Sequence, residues 1–366
     1  MRVTEDKSNY WVPAVYWINR NGTYSLLPHI TKVYYSMRDG DKKYAAFPPG
    51  MRMISGIATH RDPGNIRTQG IELNMNPYMT EDNPYNNMYI PNGTWHPNPP
   101  KNGYIHLNIR FPNCGWANQS LDSPDHFSHM TWPLFGGKWG PGSSVCPESH
   151  PIQYPQIFLE NFVFITQRMK SEWNKNGPNF ILANGDVTGL TFHADFVNGW
   201  NTTVLQNALD TCGDLGDGIE KCAAFTPYVQ PNQVAWKSPC RIQSQIPAED
   251  PGYVTPLQYL PGCNPRWDYD GPIKKPTNCP WFKGEPGWAS PNLMWQDGAG
   301  MEAPAAIPGL NEADALKWSL YGGRDADTGS RAKFMRWNYD ADGVNPVGGI
   351  MYGSQAEVNA AATSSK

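Results

Sequence analysis

The sequence predicts a mostly β architecture: a sandwich-like domain with long Pro/Gly/Asn-rich loops, one or two short helices and an irregular C-terminal extension. Gly and Pro, 35 of each in 366 residues, interrupt helices, because glycine is entropically costly there and proline lacks the amide donor. Aromatic and β-branched residues, with 15 Trp among them, recur in short runs between turn signals, as in strands joined by loops. Helical periodicity is confined to residues 198–212 and 312–320.

Taken in order, "YWVPAVYWI" (10–18), "SLLPHITKVYYSM" (25–37) and "YAAFPPGMRMISGI" (44–57) read as strands, separated by the turns "RNGT" and "RDGDKK". Residues 76–103 are dense in Pro and Asn and predict a long surface loop. "YIHLNIRF" (104–111) alternates with period two, as a half-buried strand does. "PQIFLENFVFI" (155–165) and "NFILAN" (179–184) predict two more strands across the polar connection "RMKSEWNKNGP". In "NGWNTTVLQNALDTC", Trp200, Val204, Leu205, Ala208 and Leu209 share one helical face. The organisation expected is a β-rich domain over 1–224, a Pro/Gly/Trp-rich extension packed on it over 225–353, and a disordered tail over 354–366.

The net charge of −4 and a charged fraction of 17% leave no broad basic field, so neither nucleic acid nor an anionic membrane surface is an expected partner. No stretch reaches 18 consecutive apolar residues, and no membrane span is expected. The 7 cysteines and the sequons at Asn21, Asn92, Asn118 and Asn201 suit an oxidising, glycosylating, extracellular compartment. The opening "MRVTEDKSNYW" contains no signal peptide, so part of the N-terminus is expected to be missing. Cys212 and Cys222 flank "GDLGDGIEK" and predict a disulfide contributing about 3 kcal/mol. Cys114 and Cys146 bracket "LDSPDHFSHMTWP" (121–133) and predict another. Of Cys240, Cys263 and Cys279, one is left without a partner in this chain.

That bracketed loop raises the functional question. Asp122 and Asp125 precede His126 and His129, and a second grouping, His193 with Asp195, lies in "NGDVTGLTFHADF". Convergence of His126, His129, His193 and Asp195 would give a group for general acid–base catalysis, or, through the three histidines, a site for a divalent metal ion. The bland alternative makes them hydrogen-bonded loop residues, since neither H-E-x-x-H nor Cys-x-x-Cys spacing occurs. His150 in "CPESHP" and Asp186 are candidate substrate contacts, although Asn-Gly-Asp is above all a turn signal. Trp132 could stack on a sugar ring, while most aromatics of a β fold serve the core. Glu148, Glu160, Asp186 and Asp195 supply carboxylates for glycoside chemistry, whose mechanism depends on their separation in space.

Six ordered motifs, "TEDKSNYW", "AFPPGMRM", "LDSPDHFSHMTWP", "CPESHP", "ILANGDVTGLTFHADFVNGW" and "LQNALDTC", closely resemble the fungal DUF1996 domain family over Val3 to Cys222. The resemblance implies an extracellular or wall-associated protein of uncharacterised function, since such domains occur in secreted proteins and are sometimes joined to carbohydrate-binding WSC modules. Family members usually begin upstream with a His-x-His segment and further cysteines, which this chain lacks. Two function classes follow: a carbohydrate-active enzyme acting on cell-wall glycans through a His/Asp polar cleft, and a non-catalytic cell-wall or glycan-binding, stress-related surface module. Cell-wall polysaccharide is the expected partner.

Overall fold

The computed structural model describes residues 3–27, 29–37, 43–60, 71–74, 89–100, 104–133, 145–212, 221–229, 251–252 and 256–267, together with short strands at 245–247, 295–297, 335–339 and 346–351. The described chain is mostly β: its strands pair antiparallel, and two α-helices accompany them. The 312–320 helix and the tail lie outside the described residues, as does most of the 76–103 loop.

A four-stranded sheet has the order β4 (His29–Ser36), β11 (Gln156–Phe164), β7 (Tyr104–Arg110), β6 (Ile71–Asn74). Its period-two alternation sends Leu159 and Val163 inward, opposite Ile109 and Ile105. A three-stranded sheet of β1 (Asn9–Trp11), β13 (His193–Val197) and β5 (Arg52–Gly56) turns Ala194, Phe196 and Met53 into the same core. Each large apolar side chain buried this way contributes about 1.5–3 kcal/mol relative to exposure.

A third sheet, β12 (Phe180–Leu182), β2 (Val15–Ile18) and β3 (Tyr24–Leu26), is buried on both faces, which explains its continuous apolar runs. Trp17, Phe180 and Leu182 join the main core, whereas Tyr16, Ile181 and Leu26 pack with Val187 and Leu260 in a second cluster. Part of the extension closes that second cluster. Leu26 N donates to Gly252 O at 2.9 Å, Tyr24 and Leu257 exchange backbone bonds at 2.8 Å, and Tyr16 Oη reaches Pro251 O at 3.0 Å. A small ribbon, β10 (Ile152–Gln153), β8 (Cys114–Gly115) and β9 (Met130–Thr131), frames the histidine loop.

The disulfides Cys114–Cys146 and Cys212–Cys222 are both present. Cys263 is also disulfide-bonded, to a partner outside the described residues. Two local readings need correction. The polar connection after β11 contains a short helix, α1 (Gln167–Ser171), started by Thr166, whose Oγ1 accepts from Met169 N. Helix α2 (Thr202–Thr211) begins after Trp200, which is buried but precedes the cap.

The cap of α2 is Asn201, whose Oδ1 accepts from Thr203 N and Val204 N while Nδ2 donates to Glu5. Asn201→Ala is therefore expected to destabilise the protein by about 1 kcal/mol. A urea midpoint unmoved by the substitution would show that the cap is replaced by solvent.

Candidate functional site

The loop 121–130 is organised by its own polar side chains. Asp125 Oδ1 accepts from Ser123 Oγ (2.6 Å), Phe127 N (3.1 Å), Ser128 N (3.0 Å) and Ser128 Oγ (2.9 Å), which holds its carboxyl well below the usual range. Within this turn His126 adopts φ +51°, a left-handed conformation uncommon outside glycine although histidine tolerates it better than most residues. The His126 carbonyl accepts from Ile54 N at 2.9 Å, so the loop lies along the free edge of β5.

This docking sets up a chain of charged groups. Arg52, on β5, grips Asp122 through Nη2–Oδ2 (2.5 Å) and Nε–Oδ1 (3.2 Å). Asp122 Oδ1 in turn lies 2.7 Å from His126 Nδ1. The Arg52 bond and, secondarily, His126 lower the Asp122 pKa. A carboxylate in this position keeps the proton on Nδ1 and leaves Nε2 of neutral His126 as base or ligand.

The adjoining sheet face carries the other predicted group. His193, Asp195 and Val197 alternate outward along β13, with Gly56, Ile54 and Arg52 opposite them on β5, and Trp11 opposite Asp195 on β1. Gly56 has φ +80°, and a Cβ there would fall 2.4 Å from Phe192 O, so glycine permits the close approach beside His193. His193 Nδ1 donates to Thr191 O at 2.7 Å, which again leaves Nε2 unprotonated in the neutral ring. Burial raises the Asp195 pKa, and the charges of His193 and His126 pull it back, which places both imidazoles within electrostatic reach. Trp11 is 48% exposed, and its ring lies 5.2 Å from that of His193.

The remaining predicted residues lie elsewhere or face inward. His129 is fully buried, with Nδ1 2.7 Å from Ser123 Oγ; burial lowers its pKa. His150 fastens the far side of the loop, Nε2 to Ser128 O at 3.0 Å and ring against Trp116 at 5.8 Å. Trp132 follows β9 and is half-buried. Asp186 is fully buried and accepts from Thr188 and Thr191, through N and Oγ1 of each, at 2.6–2.9 Å. Among the described residues no three His, Cys, Asp or Glu side chains are grouped to hold a metal ion.

Sequence reasoning missed Trp11, Arg52 and the pairing role of Asp122. It also missed a second polar group on the four-stranded sheet, on the face turned from the core. There His106 is fully buried in β7, 3.9 Å from Glu160 and 3.4 Å from Asn108. The available signal was the alternation His106, Asn108, Arg110, which reads as a solvent face but is buried.

Burial brings the His106 pKa down to about 4 from 6.5. Below pH 6.5 the unfolded chain takes up a proton that the folded chain refuses, so stability should fall with pH until about pH 4 and then level. The loss expected is about 3 kcal/mol. Denaturation midpoints across this range should lose that slope in His106→Gln; an equal slope in both proteins would assign it to other groups.

The sequence matches the family described as Domain of unknown function (DUF1996) over residues 1–200. The chain belongs to the DUF1996 family. The match ends at Trp200, immediately before the cap of α2, and contains the whole His126/His193 face. No curated protein and no solved structure matches this DUF1996 chain. Among the described residues no helix is long and apolar enough to cross a membrane.

Proposed function

We propose that the β1–β13–β5 face receives cell-wall polysaccharide and performs acid–base chemistry on it. The observation that carries this reading is the exposed Trp11 ring beside His193 and opposite Asp195, with His126 oriented by Asp122 and Arg52 at the edge. An exposed indole suits the apolar face of a pyranose ring. His126 Nε2 is the proton acceptor, aligned by a carboxylate that is itself fixed by a guanidinium. Asp195, whose pKa burial raises, is the proton donor. His193 adjusts the charge on Asp195 and borders the sugar.

A second reading, a non-catalytic glycan-binding surface module, is favoured by the openness of this region, where Ile57, Phe127 and Val197 are also exposed. The disulfides and the exposed sequon residues Asn21 and Asn118 support an extracellular or wall-associated setting for either reading.

Incubation of the full chain with insoluble fungal and plant wall polysaccharides tests both. New reducing ends or unsaturated products indicate catalysis, and capture without product indicates the binding module. Trp11→Ala should weaken capture at least about tenfold, the order expected for losing one stacked aromatic. Neither capture nor product from any of the polysaccharides would overturn the assignment.

A further inference from the structure

The four sequons differ in what the fold asks of their asparagines. At Asn201 both ends of the side-chain amide are in use: Oδ1 accepts from Thr203 N and Val204 N at the start of α2, and Nδ2 donates to Glu5 Oε2 at 3.0 Å. A sugar on that nitrogen would have to stand between the helix cap and Glu5. Asn92 is half-buried, and its sequon is pressed against residues 174–178. Its backbone bridges to Pro178, Gly93 N donates to Gly177 O at 2.9 Å, and a Cβ on Gly93 would overlap Asn174 O. The fold therefore uses these two asparagines for capping and packing.

Asn21 is held differently. It is exposed at the tip of the β2–β3 hairpin, whose turn is closed by Gly22 N to Asn19 O and by Asn19 N to Thr23 O, both at 2.9 Å. Asn19 Nδ2 donates to Thr23 Oγ1 at 3.0 Å, which directs the Thr23 hydroxyl proton to Asn21 Oδ1 at 2.8 Å, and Thr23 N donates to the same oxygen at 3.2 Å. The Asn–Thr pair of the sequon is thus preset. Its amide oxygen is engaged, while Nδ2 has no hydrogen bond among the described residues. All of these bonds lie within residues 19–23, so the geometry depends on the local chain and not on tertiary contacts. Asn118 is exposed as well, and Ser120 Oγ accepts from Asp122 N at 3.3 Å, but no bond orders the Asn118 amide among the described residues.

We propose that Asn21 is the principal N-glycosylation acceptor of this chain and that Asn92 and Asn201, despite their sequons, are not acceptors. Asn21 Nδ2 forms a bond to the anomeric carbon of an oligosaccharide carried on a polyprenyl diphosphate. The bond from that carbon to the phosphate oxygen breaks, the diphosphate leaves with the electron pair, and the amide nitrogen gives up one proton to the transferase. The assignment is independent of what the Trp11 face binds. It requires only that the chain enter a glycosylating compartment, for which the two disulfides speak.

The test expresses the full chain behind a cleavable leader in a yeast host and recovers it from cells and medium together. Peptide N-glycosidase treatment in heavy-oxygen water, followed by peptide mass spectrometry, reads the occupancy of each sequon. Occupancy should be highest at Asn21, lower at Asn118, and minor at Asn92 and Asn201, and Asn21→Gln should remove one glycan's mass. Gly22→Val leaves the Asn-x-Thr motif intact but places a β-branched residue at φ +82°, a conformation such residues resist. It should lower Asn21 occupancy several-fold, whereas Thr23→Ser, which keeps the hydroxyl, should retain the glycan. Three results overturn the proposal: an unmodified Asn21, Asn92 or Asn201 modified as fully as Asn21, or Asn21 occupancy unchanged by Gly22→Val, which would assign the modification to the motif alone.

Discussion

In His126→Asn, turnover of a wall glycan is expected to fall by about 10²–10⁴-fold, the usual contribution of a positioned proton-transfer group. Asparagine is the informative substitution because it adopts left-handed backbone readily, as position 126 requires at φ +51°. Its side chain can still bond Asp122, so the loop and its hold on β5 should survive, and the melting temperature should change little. Alanine confounds the result by adding about 1 kcal/mol of backbone strain. Rates of product release and thermal melts on the same preparations decide the matter. Full activity in His126→Asn would leave His126 as a fastener of the loop.

A larger effect on stability is expected from Asp186→Ala, about 3–5 kcal/mol, because it strands several buried donors at once. The carboxylate receives both backbone amides and both hydroxyls of Thr188 and Thr191, at 2.6–2.9 Å, in a wholly buried turn. Its backbone also bridges to Trp267, so the same turn anchors the C-terminal segment. Asp186→Asn should cost less, since one oxygen still accepts. Urea unfolding measures the difference, and a loss below about 1 kcal/mol would mean that water enters and replaces the carboxylate. Activity per folded molecule should persist, because the bonds of Asp186 are made within its own turn.

Strands were legible where one face is buried and the other is wet. The run 104–111 alternates visibly because Ile105, Leu107 and Ile109 point into the core, and the turn at 20–23 is marked by Gly22, which takes φ +82°. Helix α1 was not legible, since five residues are too few to show a period and only the Thr166 cap announces it. At the candidate site, the pairing of Asp122 with His126 was within reach of sequence, being four residues apart. The Arg52 that fixes Asp122 lies 70 residues away, and Trp11 arrives through the register of β1 on β13. Such partners are set by tertiary pairing, which local pattern does not encode. His106 misled for another reason, in that a polar residue on an alternating strand normally means solvent.

The closure of the third sheet by residues 251–252 and 256–260 bears on the order in which the protein can be completed. A chain emerging from the ribosome has Val15–Ile18, Tyr24–Leu26 and Phe180–Leu182 outside the exit tunnel long before Gly252, Leu257 and Leu260 follow. Throughout that interval Tyr16, Leu26 and Ile181 have one side uncovered, as does the edge of β3 that later bonds Gly252 and Leu257. An uncovered apolar strand edge is a template for pairing with another chain. Nascent chains halted before Trp267 should therefore bind chaperones or aggregate, and a recombinant fragment cut at residue 200, where the family match ends, should do the same.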